Sequence, residues 1–227
     1  MIVLARVLHS TTVLSTLHLV RHGEVHNPDG VVYADLPGFG LSALGDQQAA
    51  SLAHYLVGAG PIDAIITSPL ERAVATADPL TRLTGLAPTT DERLTEWRLG
   101  KRWAGERWDD LVSVFPGELE AYLTEPENLL FVAEQIADVA TRVVDLVAAL
   151  DARLQVGTAV LVSHQDPVQA ARLCLTGRPF SDLHVDKPEH ASVVTLHRDS
   201  GPWIEDRYWV PPDPSIPFPP VNGSEGI

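Results

Sequence analysis

The sequence predicts an α/β fold: a three-layer α/β/α arrangement around a mostly parallel central sheet, topped by a small helical cap. Two observations carry this. Three short apolar runs of buried-strand type are each followed by a polar cluster and then by a helical pattern, the alternation that builds parallel sheets. Between Gly105 and Ala133 the pattern loses its regularity, with Pro116 and Pro126 breaking short helical pieces, as suits an excursion that covers one end of the sheet.

Thr16 to Val20 alternates in hydrophobicity and ends in a glycine-containing turn, giving the first strand. Ser42 can cap a helix that runs through about Val57. Ala64–Thr67 is the second strand, and Ser68-Pro69 opens a helix through about Leu83. The longest helix places Ile136, Val139, Ala140, Val143, Val147, Leu150 and Leu154 on one stripe, with Asp138, Arg142 and Asp145 elsewhere. Thr158–Val162 is the third buried strand, and Asp166-Pro167 opens a helix through about Leu175, with Asp166 favoured as its cap over a role in restricting the substrate. Ala191–Leu196 and Trp203–Val210 flank the Ser200-Gly201-Pro202 turn and read as a hairpin.

At 227 residues the chain suits one large domain, assigned to 1–210 with the cap at about 105–135. The proline-rich stretch 211–227 cannot donate ladder hydrogen bonds from its prolines and is expected as an extended tail. The apolar opening segment, Met1 to Thr16, lacks a signal peptide's basic start and cleavage site and is expected as an extra edge strand or an early start. No stretch reaches the roughly 18 apolar residues of a membrane span. The single cysteine, Cys174, excludes an internal disulfide, agrees with a cytoplasmic location and falls in an apolar run that suggests a core position. A net charge of -14 repels nucleic acid and anionic lipid. It leaves a small phosphorylated metabolite open as partner, because screening beyond about 8 Å lets local arginines dominate a pocket. A homodimer is compatible with the chain.

Three strands end in residues suited to an anion: Arg21-His22, then Ser68 with Arg72 one helical turn on, then Ser163-His164. In open α/β sheets ligands bind beyond the carboxyl ends of the strands, so these groups are expected in one crevice. Arg21 and Arg72 can each grip phosphate oxygens bidentately, and their charge would keep His22 neutral and nucleophilic. His164 would bond the phosphate, and Glu96 would protonate the leaving oxygen and then activate water. Glu92, one turn earlier, is the competing carboxylate. His18, His22 and His26 recur every fourth residue, a metal-ligand spacing on a helix, but their segment reads as strand and loop, so no metal and no other cofactor is expected.

These residues resemble the histidine phosphatase superfamily in its phosphoglycerate-mutase-like branch, over about Thr16 to His197. Five blocks occur in family order: Leu19-Val20-Arg21-His22-Gly23-Glu24; Leu41-Ser42 with Gly45 and Gln48-Ala49; Ser68-Pro69-Leu70-Glu71-Arg72-Ala73; Leu94-Thr95-Glu96 with Gly100, Trp103 and Gly105; and Val162-Ser163-His164. The resemblance implies a phosphoglycerate-mutase-like fold and a histidine acid phosphatase-like phosphoric monoester hydrolase. It implies His22 as the phosphorylated histidine, Arg21, Arg72 and His164 as the phosphate pocket, and Glu96 as acid/base. Gly23, Asn27 and Gln165 join the expected substrate contacts. The chain departs from the family pattern at Gln165-Asp166-Pro167, where glycine usually follows the second histidine, and at Asn27, which lies one residue nearer to His22 than the family's asparagine.

Two rivals stand beside the hydrolase. A phosphoglycerate mutase would need further cations for a substrate carboxylate, and Asp109 to Ile136 contains neither lysine nor arginine, although Lys101, Arg102 and Arg107 lie close by in sequence. A noncatalytic phosphate-binding module would need neither His22 nor Glu96.

Overall fold

The computed structural model describes residues 14–154, 157–199 and 201–213. In chain order the elements are β1 (Thr16–Arg21), α1 (Ala43–Ala59), β2 (Ala64–Thr67), α2 (Glu71–Thr84), β3 (Thr89–Thr90), α3 (Leu99–Trp103), α4 (Leu111–Val114), α5 (Glu118–Thr124), α6 (Ile136–Leu154), β4 (Thr158–Ser163), α7 (Gln165–Thr176), β5 (Val193–His197) and β6 (Ile204–Trp209). The strands form one six-stranded sheet in the order β3-β2-β4-β1-β5-β6. β1 to β4 pair in parallel, β5 runs antiparallel to β1, and β6 runs antiparallel to β5.

Period-two alternation divides the strands between two helical layers. Leu17, Leu19, Ala159 and Leu161 pack with Val143, Val147 and Leu150 of α6 and Val168 and Ala171 of α7. Val20, Ile65, Val160 and Val162 face the other way, onto Leu52 and Leu56 of α1 and Ala73, Ala77 and Leu80 of α2. A third cluster joins Trp97, Leu99, Trp103, Leu111, Tyr122 and Leu129 to Ile136 and Ala170, so the short helices α3 to α5 cap the ends of α6 and α7 with their own core. Among the described residues no helix is long and apolar enough to cross a membrane.

Ser42 caps α1 as expected, its hydroxyl accepting from the Gly45 amide at 3.0 Å. α2 begins at Glu71, three residues past Ser68, whose hydroxyl accepts from Leu70 N at 3.3 Å and lies 2.8 Å from His164 Nε2. The expected cap role of Asp166 is a correction. The chain turns into α7 directly after extended His164, which is the capping residue without a side-chain bond, so Asp166 already lies inside the first turn. Its carboxylate accepts instead from the Tyr122 hydroxyl, at 3.2 Å to each oxygen. Cys174 is a second correction: it is exposed, because the buried stretch of α7 ends at Leu173 and the apolar run continues past it. Apart from residues 14–16, the expected opening strand lies outside the described residues, as does the tail beyond residue 213.

Topology positions the site. β2, β4 and β1 are neighbours, so their carboxyl ends set Ser68, Ser163-His164 and Arg21-His22 side by side. Because β5 opposes β1, with Val193 beside Val20, the loop that enters β5 arrives at the same end. The Ala191 amide donates to the His22 carbonyl at 3.0 Å, tying that loop to the residue after β1.

Candidate active site

His22 leaves the end of β1 almost wholly buried. Its Nδ1 donates to the Gly23 carbonyl at 2.7 Å, which fixes the tautomer and leaves Nε2 as a bare lone pair. Burial first, and then the Arg72 and Arg21 guanidiniums, hold its pKa well below the ordinary imidazole range. The neutral ring therefore persists into mildly acidic solution. Gly23 was expected among the substrate contacts; its amide donates to Thr76 Oγ1 at 2.9 Å. Glycine is required there by close approach: a Cβ on Gly23 would lie 2.8 Å from the Gly45 carbonyl oxygen, and one on Gly45 would lie 2.1 Å from the Glu24 oxygen.

Around His22 the structure gathers the other strand-end groups. The His164 ring centre lies 5.2 Å away in an edge-on arrangement. Arg72 is buried on the first turn of α2, donating from Nη2 to the Ala34 carbonyl at 2.7 Å, with its guanidinium 4.8 Å from the Tyr33 ring centre. Arg21 Nη1 donates to Gln165 Oε1 and to the Pro188 carbonyl, both at 2.9 Å, while Nη2 donates to His190 Nε2 at 2.8 Å. Accepting that bond requires a neutral His190, and its pKa is lowered to about 4 by burial and then by Arg21. Burial, followed by Arg72 and His22, likewise keeps His164 well below the usual range.

Three buried nitrogens in this cluster have no hydrogen-bond partner among the described residues: Arg21 Nε, Arg72 Nε and His164 Nδ1. An unpaired buried polar group costs about 1–3 kcal/mol, so three on the residues gathered around His22 mark a place where a ligand could supply acceptors.

A cavity of about 470 Å³ opens over Arg21 and His22, lined also by Glu96, Tyr33, Trp97, Trp103, Trp108 and Tyr122, with Asn27, Gln165, Asp166 and Lys187 among its polar groups. Glu96 is held from several sides. The Trp97 amide donates to its Oε1 at 2.8 Å, and Arg142, paired with Glu134 at 2.9 Å, donates to its carbonyl at 3.3 Å. The Ser163 hydroxyl ties Leu94, two residues before Glu96, to the end of β4 at 2.6 Å. Burial, and next the charge of Asp166, push the Glu96 pKa up to about 7. The competing Glu92 is exposed and outside the cavity. Asn27 lines the cavity, but both ends of its amide are bonded to the Val31 backbone, at 2.9 and 3.1 Å, which makes it the staple of its own turn. His18 lies within β1, bonded to Thr195 Oγ1 at 3.0 Å, whereas His22 and His26 lie beyond the end of the strand.

Sequence reasoning missed Tyr33, Lys187 and Tyr122, which lie in loops or in the cap without a pattern to mark them. For His190, standing just before the last sheet strands, the sequence leaves open the border of the pocket and the surface; it lies against Arg21 and His22.

The histidine phosphatase superfamily (branch 1) model matches residues 17–210. An uncharacterized protein of Mycobacterium tuberculosis is 40% identical over 208 residues, covering 86% of this chain and 96% of that one. Phosphoserine phosphatase 1 of Hydrogenobacter thermophilus is 30% identical over 185 residues, covering 81% of this chain and 86% of that one. Among solved structures, mycobacterial glucosyl-3-phosphoglycerate phosphatase in complex with VO3 superposes with a TM-score of 0.75 at 30% identity, covering 85% of this chain and 97% of that one. With the phosphate-type cluster at the strand ends and a match over most of its length, the chain belongs to branch 1 of the histidine phosphatase superfamily.

Proposed function

We propose that this protein is a phosphomonoesterase that works through a phosphohistidine at His22, with Glu96 as general acid and then general base. The observation that carries it is the bare Nε2 of His22 set among three unpartnered buried nitrogens of Arg21, Arg72 and His164. A phosphoryl group placed against Nε2 supplies acceptors for those nitrogens, and the guanidiniums neutralise the charge that spreads over its oxygens in transfer. His22 Nε2 attacks phosphorus while the leaving oxygen takes the Glu96 proton. The Glu96 carboxylate then removes a proton from water, which attacks the phosphohistidine and restores the imidazole.

A carboxyl group that titrates near neutrality suits both steps, since it is populated as acid and as base at the same pH. The leaving group would occupy the aromatic part of the cavity. Its volume admits more than a bare phosphate, and phosphatases of phosphorylated small molecules are among the relatives.

Ion pairing favours hydrolysis over a mutase. Lys101 pairs with Asp35 at 2.5 Å, Arg102 with Glu118 at 2.6 Å and Arg107 with Asp110 at 3.8 Å, so the three cations that could have drawn in a substrate carboxylate have carboxylates of their own. Lys187 is the added cation on the cavity wall, and it comes from the loop before β5.

Phosphate release from p-nitrophenyl phosphate and a panel of alkyl phosphates tests the reading. The unmodified protein is expected to turn over members of the panel, and His22→Ala to lose at least about 10³-fold in kcat/KM. Binding without release would select the noncatalytic module, and conversion of 3-phosphoglycerate to 2-phosphoglycerate would select the mutase.

A further inference from the structure

Asp166 is the charge in the cavity that the hydrolysis itself does not use. It stands where the family pattern has a small residue nearby, one position after Gln165, and it forms no salt bridge among the described residues. Its oxygens accept from the Tyr122 hydroxyl at 3.2 Å each and, more distantly, from Gln165 Nε2 at 3.5 Å. The first turn of α7 favours a negative charge there through its unpaired backbone amides. Tyr122 is itself fixed: Lys187 Nζ donates to its hydroxyl at 3.3 Å, and its ring lies against Trp97 and Trp103, with centres 6.0 and 5.7 Å away. Trp97 is also the residue whose amide holds Glu96. A rigid aromatic wall thus connects the two carboxyl groups, and both face the same cavity.

We propose that Asp166 is a positioning residue for the reaction's proton: held in place by Tyr122, its carboxylate keeps a share of the Glu96 carboxyl groups protonated at neutral pH. This rests on the reading of Glu96 as proton donor.

The charged groups acting on Glu96 come from several elements. Arg21 at the end of β1 and Arg72 on α2 favour its ionised form; Asp166 on α7 opposes it, second only to burial. Tyr33 and Tyr122 feel its charge, as does Lys187 from the loop before β5. Two guanidiniums next to a carboxyl group would ordinarily make it a poor acid at neutral pH, because the field that binds phosphate also strips the proton. Asp166, lining the same cavity, offsets that field at Glu96. The arginines can therefore serve the phosphoryl group without discharging the acid that must protonate the leaving oxygen.

The test is a carbon-13 NMR titration of the glutamate carboxyls in the full-length protein, with the Glu96 signal assigned by its loss in Glu96→Gln. In the unmodified protein the signal is expected to titrate near neutrality. In Asp166→Asn, which keeps an acceptor for Tyr122, and in Asp166→Ala, the midpoint should fall by about one pH unit, since removing a like charge favours the ionised carboxyl. The high-pH limb of kcat/KM for a turned-over alkyl phosphate should move down by the same amount. A Glu96 midpoint that stays in place in both variants overturns the proposal. A midpoint that falls while the kcat/KM profile stays fixed upholds the coupling and removes Glu96 from the role of proton donor.

Discussion

The two halves of the cavity are built differently. The half proposed for phosphate has Arg21 and His22 on its wall at the end of β1, with Ser68 and His164 at the neighbouring ends of β2 and β4 and Arg72 on the first turn of α2. The leaving-group half consists of Tyr33, Trp108, Tyr122 and Lys187, which come from the loop after β1, the cap and the loop before β5. In the first half, position follows from strand register and the chemistry is shared across the fold. In the second, position follows from how loops of this chain pack on one another, and on the proposed function the choice of ester is made there.

The comparison can be broken by variants that should act on one half alone. Arg72→Met should lower kcat/KM about 10²–10³-fold on every phosphomonoester, without changing their order, because it removes charge stabilisation of the transferring group. A steady-state panel checks this, and a reshuffled order would show that the halves are not separable. Lys187→Met and Trp108→Ala should do the reverse. They should alter KM about tenfold for some esters, spare others, and leave kcat on p-nitrophenyl phosphate nearly unchanged.

The smallest effect on chemistry is expected from Gly45→Ala, although the residue lies close behind His22. A Cβ there would stand 2.1 Å from the Glu24 carbonyl oxygen, so α1 must shift away from the loop that follows β1. The expected loss is about 1–3 kcal/mol of stability in denaturant unfolding, with the ester order unchanged. An altered order would mean that this joint also supports the cap.

The same division explains what could be read before the structure. Arg21, His22, Arg72 and His164 were legible because a strand pattern predicts where its last residue points, and three such ends converge by topology. Glu96 was legible from its motif, since its segment has no regular element of its own. His190 and Lys187 reach the site through the antiparallel pairing of β5 with β1, and no local pattern specifies that partner. Asp166 was misread as a helix cap, because an Asp-Pro start is a local signal while its partner Tyr122 lies 44 positions away in the cap. Cys174 was misread for the opposite reason: the apolar run is local, and where the core ends is not.

The most direct test of the central claim is rapid quenching of the protein during turnover of a phosphorus-32 aryl phosphate, with the label mapped by fragmentation of the tryptic peptide that begins at His22. The account predicts an acid-labile, alkali-stable phosphoryl group on His22 itself. Turnover with no such adduct, or an adduct on His26 or His164, would contradict it.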